Sequence, residues 1–181
     1  MRLGVYVGSF NPVHIGHIDV VNYLINKKYV DKVLIVPTLN YWNKFNLIDI
    51  HHRINMLKIF ENKNIKIDNK NNKYIYTYEL LNKLKKEYDD ELYLIMGADN
   101  IIEFDKWKNY KEILNYKIII VNRNNIDINK YIKKYNSNNF ITVDNYEYID
   151  ISSTEIRDNL NSKYLDKKVR DYINRNNLFR K

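Results

Sequence analysis

The chain of 181 residues contains no cysteine, only two prolines and only four glycines. Without cysteine there is no disulfide, no thiol nucleophile and no cysteine-ligated zinc, which is compatible with a reducing compartment. So little proline and glycine excludes a collagen-like or linker-rich chain, and 45% hydrophobic residues exclude a disordered one. No apolar run approaches the roughly 18–20 residues that a membrane helix needs; the longest strand-like stretches, VLIV and IIIV, are far shorter. The start, MRLGVYVGSF, lacks the basic-then-apolar pattern of a signal peptide. A cytoplasmic protein without membrane partners is expected, and the length suits a single domain over 1–181.

Charge of one sign is in excess. The formal net charge is +8, mostly through Lys, and a basic chain raises the prospect of a nucleic-acid partner. The Lys excess accompanies heavy use of Asn, Ile and Tyr, including 17 Tyr. Those four residues share A/T-rich codons, so genome composition is an alternative source of the bias that requires no partner.

Strand-length apolar segments alternate with segments of helical period. Strands are expected at 3–7, 32–36, 65–67, 92–96, 117–121 and 140–143. Helices are expected at 15–26, 53–60, 78–86, 101–114, 129–135, 153–159 and 167–176. This alternation predicts an α/β fold: a doubly wound, mainly parallel sheet with helices on both faces and a C-terminal helical segment. The Asn/Lys-rich stretches near 61–73 and 122–139 read as surface loops and solvated helix faces. In such a sheet ligands bind beyond the carboxyl ends of the strands, which points to the loops after Val7, Val36, Met96 and Val121.

Three of the four glycines fall in the first 16 residues, and GSFNPVHIGH (8–17) follows the first strand directly. Gly8 is expected to let the backbone turn and approach a ligand, while Pro12 stiffens the loop. A helix beginning near His14 offers main-chain amides to a phosphate, with His14 and His17 one turn apart as added donors. No GxxxxGK[ST] or GxGxxG occurs, so this is an anion site of another kind. Two histidines at this spacing could also ligate a metal, but no acidic or cysteine ligand completes a set. A second cluster is ISSTEIR (151–157). Ser152 and Glu155 have capping-box spacing, which marks a helix start; Ser153, Thr154 and Arg157 would add a second phosphate-binding group there.

The two clusters together resemble the nucleotidyltransferase α/β-phosphodiesterase superfamily, and within it the bacterial nicotinate-nucleotide adenylyltransferases. The resemblance runs end to end through YTYELL (76–81), MGADNIIEFDKWKNYKEIL (96–114), IIVNR (119–123) and VRDYINRNNLF (169–179). Two departures stand out: Asn11 replaces the common Asp, and Tyr41-Trp42-Asn43-Lys44 replaces a proline-rich loop.

The resemblance implies adenylyl transfer from ATP to nicotinate mononucleotide, giving the dinucleotide and pyrophosphate without a covalent intermediate. It implies catalytic roles for His14, His17 and Arg157. It implies ATP contacts at Gly8, Ser9, Phe10, His14, His17, Gly97, Asp99, Ser153, Thr154 and Arg157. Lys44, Thr77, Trp107 and Arg123 would serve the mononucleotide, and Mg²⁺ would ride on ATP without a dedicated protein site. From the residues alone, Asp99 could instead cap a helix, and Trp107 could be core on a helix with Ile102, Phe104, Tyr110 and Leu114. His51 and His52 read as solvated. The competing readings are a related adenylyltransferase using nicotinamide mononucleotide or phosphopantetheine and, from another class, a basic RNA-binding protein.

Overall fold

The computed structural model describes residues 1–39, 47–122 and 125–180. Six strands form one sheet: β1 (Arg2–Gly8), β2 (Lys32–Pro37), β3 (Ile65–Ile67), β4 (Glu91–Gly97), β5 (Lys117–Val121) and β6 (Phe140–Val143). Their order is β3-β2-β1-β4-β5-β6 and every pairing is parallel. Among the described residues seven α-helices connect or follow them: α1 (Ile15–Asn26), α2 (Ile50–Lys58), α3 (Thr77–Glu87), α4 (Tyr110–Ile113), α5 (Ile128–Ile132), α6 (Ser153–Asp158) and α7 (Lys167–Arg175). The α/β reading from alternation holds, with the sheet wholly parallel.

The strands are buried on both faces, which is why they read as continuous apolar runs. Successive side chains of a strand alternate sides. Val33, Ile35, Ile95 and Ile119 face one core with α1, α2, α6 and α7. Val5, Leu34, Leu94 and Ile118 face the other with α3, α4 and α5. The strand order reverses between β1 and β4, so the crevice of a doubly wound sheet falls beyond Gly8 and Gly97.

Three local expectations change. Residues 101–114 are not one helix: a 3₁₀ segment, Ala98–Lys106, carries a kink at Glu103, and α4 starts only after Asn109 adopts a left-handed conformation. Ile102 is accordingly exposed while Phe104 is buried. The stretch 61–73 is not simply a solvated loop, because Asp68 and Asn71 are buried. Asp68 Oδ1 accepts from the Lys70 and Asn71 amides at 2.8 and 2.7 Å, and the Asn71 side chain donates to Asp68 Oδ2 at 2.8 Å and to Glu87 on α3 at 3.2 Å. Helix α2 begins at Ile50, capped by the Asp49 side chain, and buries Arg53 along with Met56 and Leu57.

Candidate active site

Loop 8–14 leaves β1 at the carboxyl edge of the sheet. Gly8 is not the turning residue: it closes β1, and no described glycine has a positive φ. The left-handed residue is Phe10, at φ 47°. Gly8 is needed for room, since a Cβ there would sit 2.9 Å from Phe10 Cζ. The Phe10 ring is buried, edge-on to Tyr6 and to His17 with centroids 5.5 and 5.0 Å away. Burial and these ring contacts offset a backbone conformation that costs a bulky residue about 1 kcal/mol or more.

The peptide between Asn11 and Pro12 is cis. Three oxygens around it are tied down. The Asn11 side-chain oxygen accepts from the Ile48 amide at 3.1 Å, and its main-chain carbonyl accepts from Arg157 Nη1 at 2.7 Å. The next carbonyl, of Pro12, accepts from Ser153 Oγ at 2.9 Å. The second cluster therefore clamps the first. Its capping box is formed as the spacing predicts: Glu155 N donates to Ser152 Oγ at 3.2 Å, and Ser152 N to Glu155 Oε2 at 2.8 Å. The Ser152 hydroxyl, donating to Glu155 Oε2 at 2.6 Å, and then the Ser152 amide hold the Glu155 carboxyl below its ordinary pKa. Arg157 Nη2 also donates to Thr154 Oγ1 at 3.0 Å. Gly16 permits this docking: a Cβ there would lie 3.0 Å from the Ile151 side chain, just ahead of α6.

His14 caps α1 and is buried; His17 stacks on it with centroids 3.7 Å apart. His17 Nδ1 accepts the His14 amide at 3.2 Å. The amide of Ile15 is taken by the Tyr164 carbonyl at 2.9 Å. The helix start thus presents fewer main-chain donors than the motif alone implies.

Two adjoining cavities lie beyond the strand ends. The larger, about 650 Å³, is lined by Gly8, Ser9, Pro37, Thr38, Asn71, Tyr74, Tyr76, Thr77, Asn100 and Trp107, among others. The smaller, about 300 Å³, is lined by Tyr6, Phe10, His17, Met96, Gly97 and Asp99. They share a wall of Val7, Gly8, Thr77, Asn100 and Trp107. Thr77 opens α3, where N-terminal amides project. Trp107 is half-buried, touching buried Phe104 at a centroid distance of 5.5 Å while presenting surface to both cavities, so it is not a core residue of a continuous helix. Asp99 is exposed in the first turn after Gly97, which is itself the cap; Asp99 does not cap the segment.

The structure brings Gly8, Ser9, Phe10, His17, Thr77, Gly97, Asp99 and Trp107 to this cleft. His14, Ser153, Thr154 and Arg157 line neither cavity; Ser153 and Arg157 bond the loop carbonyls of Pro12 and Asn11. Lys44 and Arg123 lie outside the described residues. Of the other histidines, His51 bonds Asp49 at 2.6 Å, and His52 meets the Tyr172 hydroxyl of α7 at 2.9 Å, so His52 is a packing contact and not simply solvated. The motif reading missed Asn71, Asn100 and, behind the wall, Arg53. Its signal was present: an arginine in phase with the buried Met56 and Leu57 occupies a core position.

Residues 5–159, which include both clusters, match the cytidylyltransferase-like family. A "probable nicotinate-nucleotide adenylyltransferase" of Acholeplasma laidlawii is 40% identical, over 97% of this chain and 96% of that one. One so named from Fusobacterium nucleatum is 36% identical over 96% and 97%. Among solved structures, the Plasmodium falciparum nicotinic acid mononucleotide adenylyltransferase complexed with NaAD superposes at a TM-score of 0.80 and 25% identity, covering 98% of this chain and 97% of that one. Its complex with APC superposes at 0.77 and 26% identity. A wholly parallel 3-2-1-4-5-6 sheet, two clamped motifs at its crevice and these near full-length likenesses agree: the chain belongs to the cytidylyltransferase-like family and, within it, to the nicotinate-nucleotide adenylyltransferases.

Proposed function

We propose that this chain joins ATP to nicotinate mononucleotide, forming nicotinate adenine dinucleotide and pyrophosphate. The observation that carries the reading is the shared wall. Two cavities meeting at Gly8, Thr77 and Trp107 suit two nucleotides placed end to end, with their phosphates meeting beside loop 8–14. The mononucleotide belongs in the larger cavity, its ring against Trp107 and its carboxylate toward the start of α3 at Thr77. Lys44, standing in for the basic residue of the loop that Tyr41-Trp42-Asn43-Lys44 replaces, and Arg123, at the end of IIVNR, are assigned to the same substrate by the resemblance. The adenosine belongs in the smaller cavity, with the Asp99 carboxylate accepting from its ribose hydroxyls beside Gly97.

An oxygen of the mononucleotide phosphate attacks the α-phosphorus of ATP. That P–O bond forms as the bond from the α-phosphorus to the bridging β-oxygen breaks, and its electron pair leaves with pyrophosphate. The attacking phosphate is already ionised near neutral pH, so no base is required; catalysis rests on in-line placement and on neutralising charge on the leaving group. His17 serves the second task directly. Arg157, Ser153 and Thr154 serve the first by holding loop 8–14, and His14 by supporting the His17 ring. Mg²⁺ would be carried on the ATP phosphates and would lower their charge there. We read 1–181 as one catalytic unit working in the cytoplasm on these small molecules, with no nucleic-acid partner.

Pyrophosphate release with ATP and Mg²⁺ tests this, with nicotinate mononucleotide, nicotinamide mononucleotide and phosphopantetheine offered in parallel. The nicotinate form is expected to turn over fastest, and absence of turnover with either pyridine nucleotide overturns the reading. His17→Ala is expected to lower kcat by roughly 10²–10³-fold while changing the mononucleotide KM only a few-fold.

A further inference from the structure

Arg53 heads the largest fully buried side chains of the described residues, yet no carboxylate there lies within ion-pair distance of it. Its Nε donates to the Ile48 carbonyl at 3.1 Å, and Nη1 donates to the carbonyls of Ser9 and Thr38, each at 2.7 Å. Nη2 is buried with no hydrogen-bond partner among the described residues. Burial pushes the guanidinium pKa down, and Asp49, acting from beyond ion-pair range, opposes this only in part. A buried cation without a counter-ion is expensive, and an apolar side chain in phase with Met56 and Leu57 would fill the same core position at less cost. The fold keeps the charge.

Its position suggests why. Ser9 and Thr38 follow β1 and β2 at the carboxyl edge, and both line the larger cavity; Arg53 stands one peptide behind them. The two loops are also tied to each other, the Thr38 amide donating to the Gly8 carbonyl at 2.9 Å. In a planar trans peptide the N–H points opposite to the C=O. Drawing the Ser9 and Thr38 carbonyls back onto Arg53 turns the Phe10 and Leu39 N–H groups away from α2, the side on which the cavity lies. A cation bonded to the carbonyl also polarises the peptide, which strengthens its N–H as a donor.

We propose that Arg53 is a positioning residue: it orients and polarises the main chain at the ends of β1 and β2 for a polyphosphate that it does not touch. The identity of that polyphosphate as ATP or its pyrophosphate product rests on the proposed reaction; the geometry requires only a multiply charged phosphate chain.

The test measures binding of inorganic pyrophosphate and of adenosine, which carries no phosphate, to wild type, Arg53→Met and Arg53→Lys, well below each unfolding temperature. Arg53→Met is expected to weaken pyrophosphate about tenfold or more, given the loss of a charge one peptide away, and to leave adenosine unchanged. Arg53→Lys keeps the charge but not the three-carbonyl fork and is expected to lose about threefold. A purely structural role would move both ligands together or neither. Equal losses for the two ligands, unchanged pyrophosphate binding in Arg53→Met, or a wild type that binds no pyrophosphate overturns the proposal. Should Arg53→Met fail to fold, Arg53→Lys decides by the same criterion. Neither measurement needs turnover, so a protein that loses pyrophosphate with Arg53 but joins no nucleotides overturns the reaction and leaves this role standing.

Discussion

The two edges of the sheet treat their arginines in opposite ways. At the amino edge Arg2 meets Asp31 as a fork, with Nη2–Oδ1 at 2.7 Å and Nε–Oδ2 at 3.3 Å, and the N-terminal ammonium meets Asp90 at 3.0 Å. Asp31 is held down to about 2 by these bonds to Arg2. At the carboxyl edge Arg53 and Arg157 bond main-chain carbonyls and one threonine hydroxyl; among the described residues neither has a carboxylate partner. A carboxylate neutralises an arginine in place. A carbonyl fixes its geometry and leaves its charge available to a bound anion. Where the charge is left uncompensated tells more than the overall +8, much of which is surface lysine.

The comparison breaks most sharply at Arg157. Arg157→Ala frees the Asn11 carbonyl and removes a cation behind loop 8–14, and kcat/KM is expected to fall roughly 10²–10³-fold with little change in unfolding temperature. If activity persists, Arg157 is scaffolding like Arg2. Trp107→Ala is a milder probe of the shared wall. The mononucleotide KM should rise about tenfold, in keeping with the loss of one aromatic stacking contact, and kcat should change less. A loss confined to stability would return Trp107 to the core.

The smallest effect is expected at the amino edge. Arg2→Met should leave kcat unchanged and lower the unfolding temperature slightly at neutral pH, because exposed pairs contribute little. Its pH dependence sharpens the contrast. The folded-state pKa of Asp31 is depressed, so the stabilisation is complete above its ordinary value of 3.8 and is lost as pH falls through about 2. The gap in unfolding temperature between wild type and Arg2→Met should therefore be constant at higher pH and close across that window. A gap that persists below it would mean that packing of the Arg2 stem, not the charge pair, supplies the effect.

Much of the fold and part of the site were legible in the order of residues. Strands 65–67, 117–121 and 140–143 fall where their apolar runs place them, as does helix 15–26, because period and burial act locally. The Ser152–Glu155 box is equally local. The site was legible as two motifs but not as a division of labour between them. ISSTEIR reads as a second ligand-facing group, and spacing did not reveal that its Ser153 and Arg157 also hold the Pro12 and Asn11 carbonyls. Gly8 reads as a turn, whereas its bare Cα makes room for a ring two residues on. Both facts depend on contacts that spacing does not encode. Asp68 and Asn71 were hidden for a related reason. A polar stretch buries its side chains only when a helix elsewhere in the chain, here α3 through Glu87, supplies a partner.

By itself, then, the sequence determined the alternation of strand and helix, the parallel sheet and the two motifs, since periodicity and capping act over a few residues. The tertiary structure alone decided which polar groups face the cleft and which brace it. That distinction arises where chain segments meet, as Arg53 meets Ser9 across 44 positions and Arg157 meets Asn11 across 146. Hydrogen-bond direction and burial exist only once those segments have packed together.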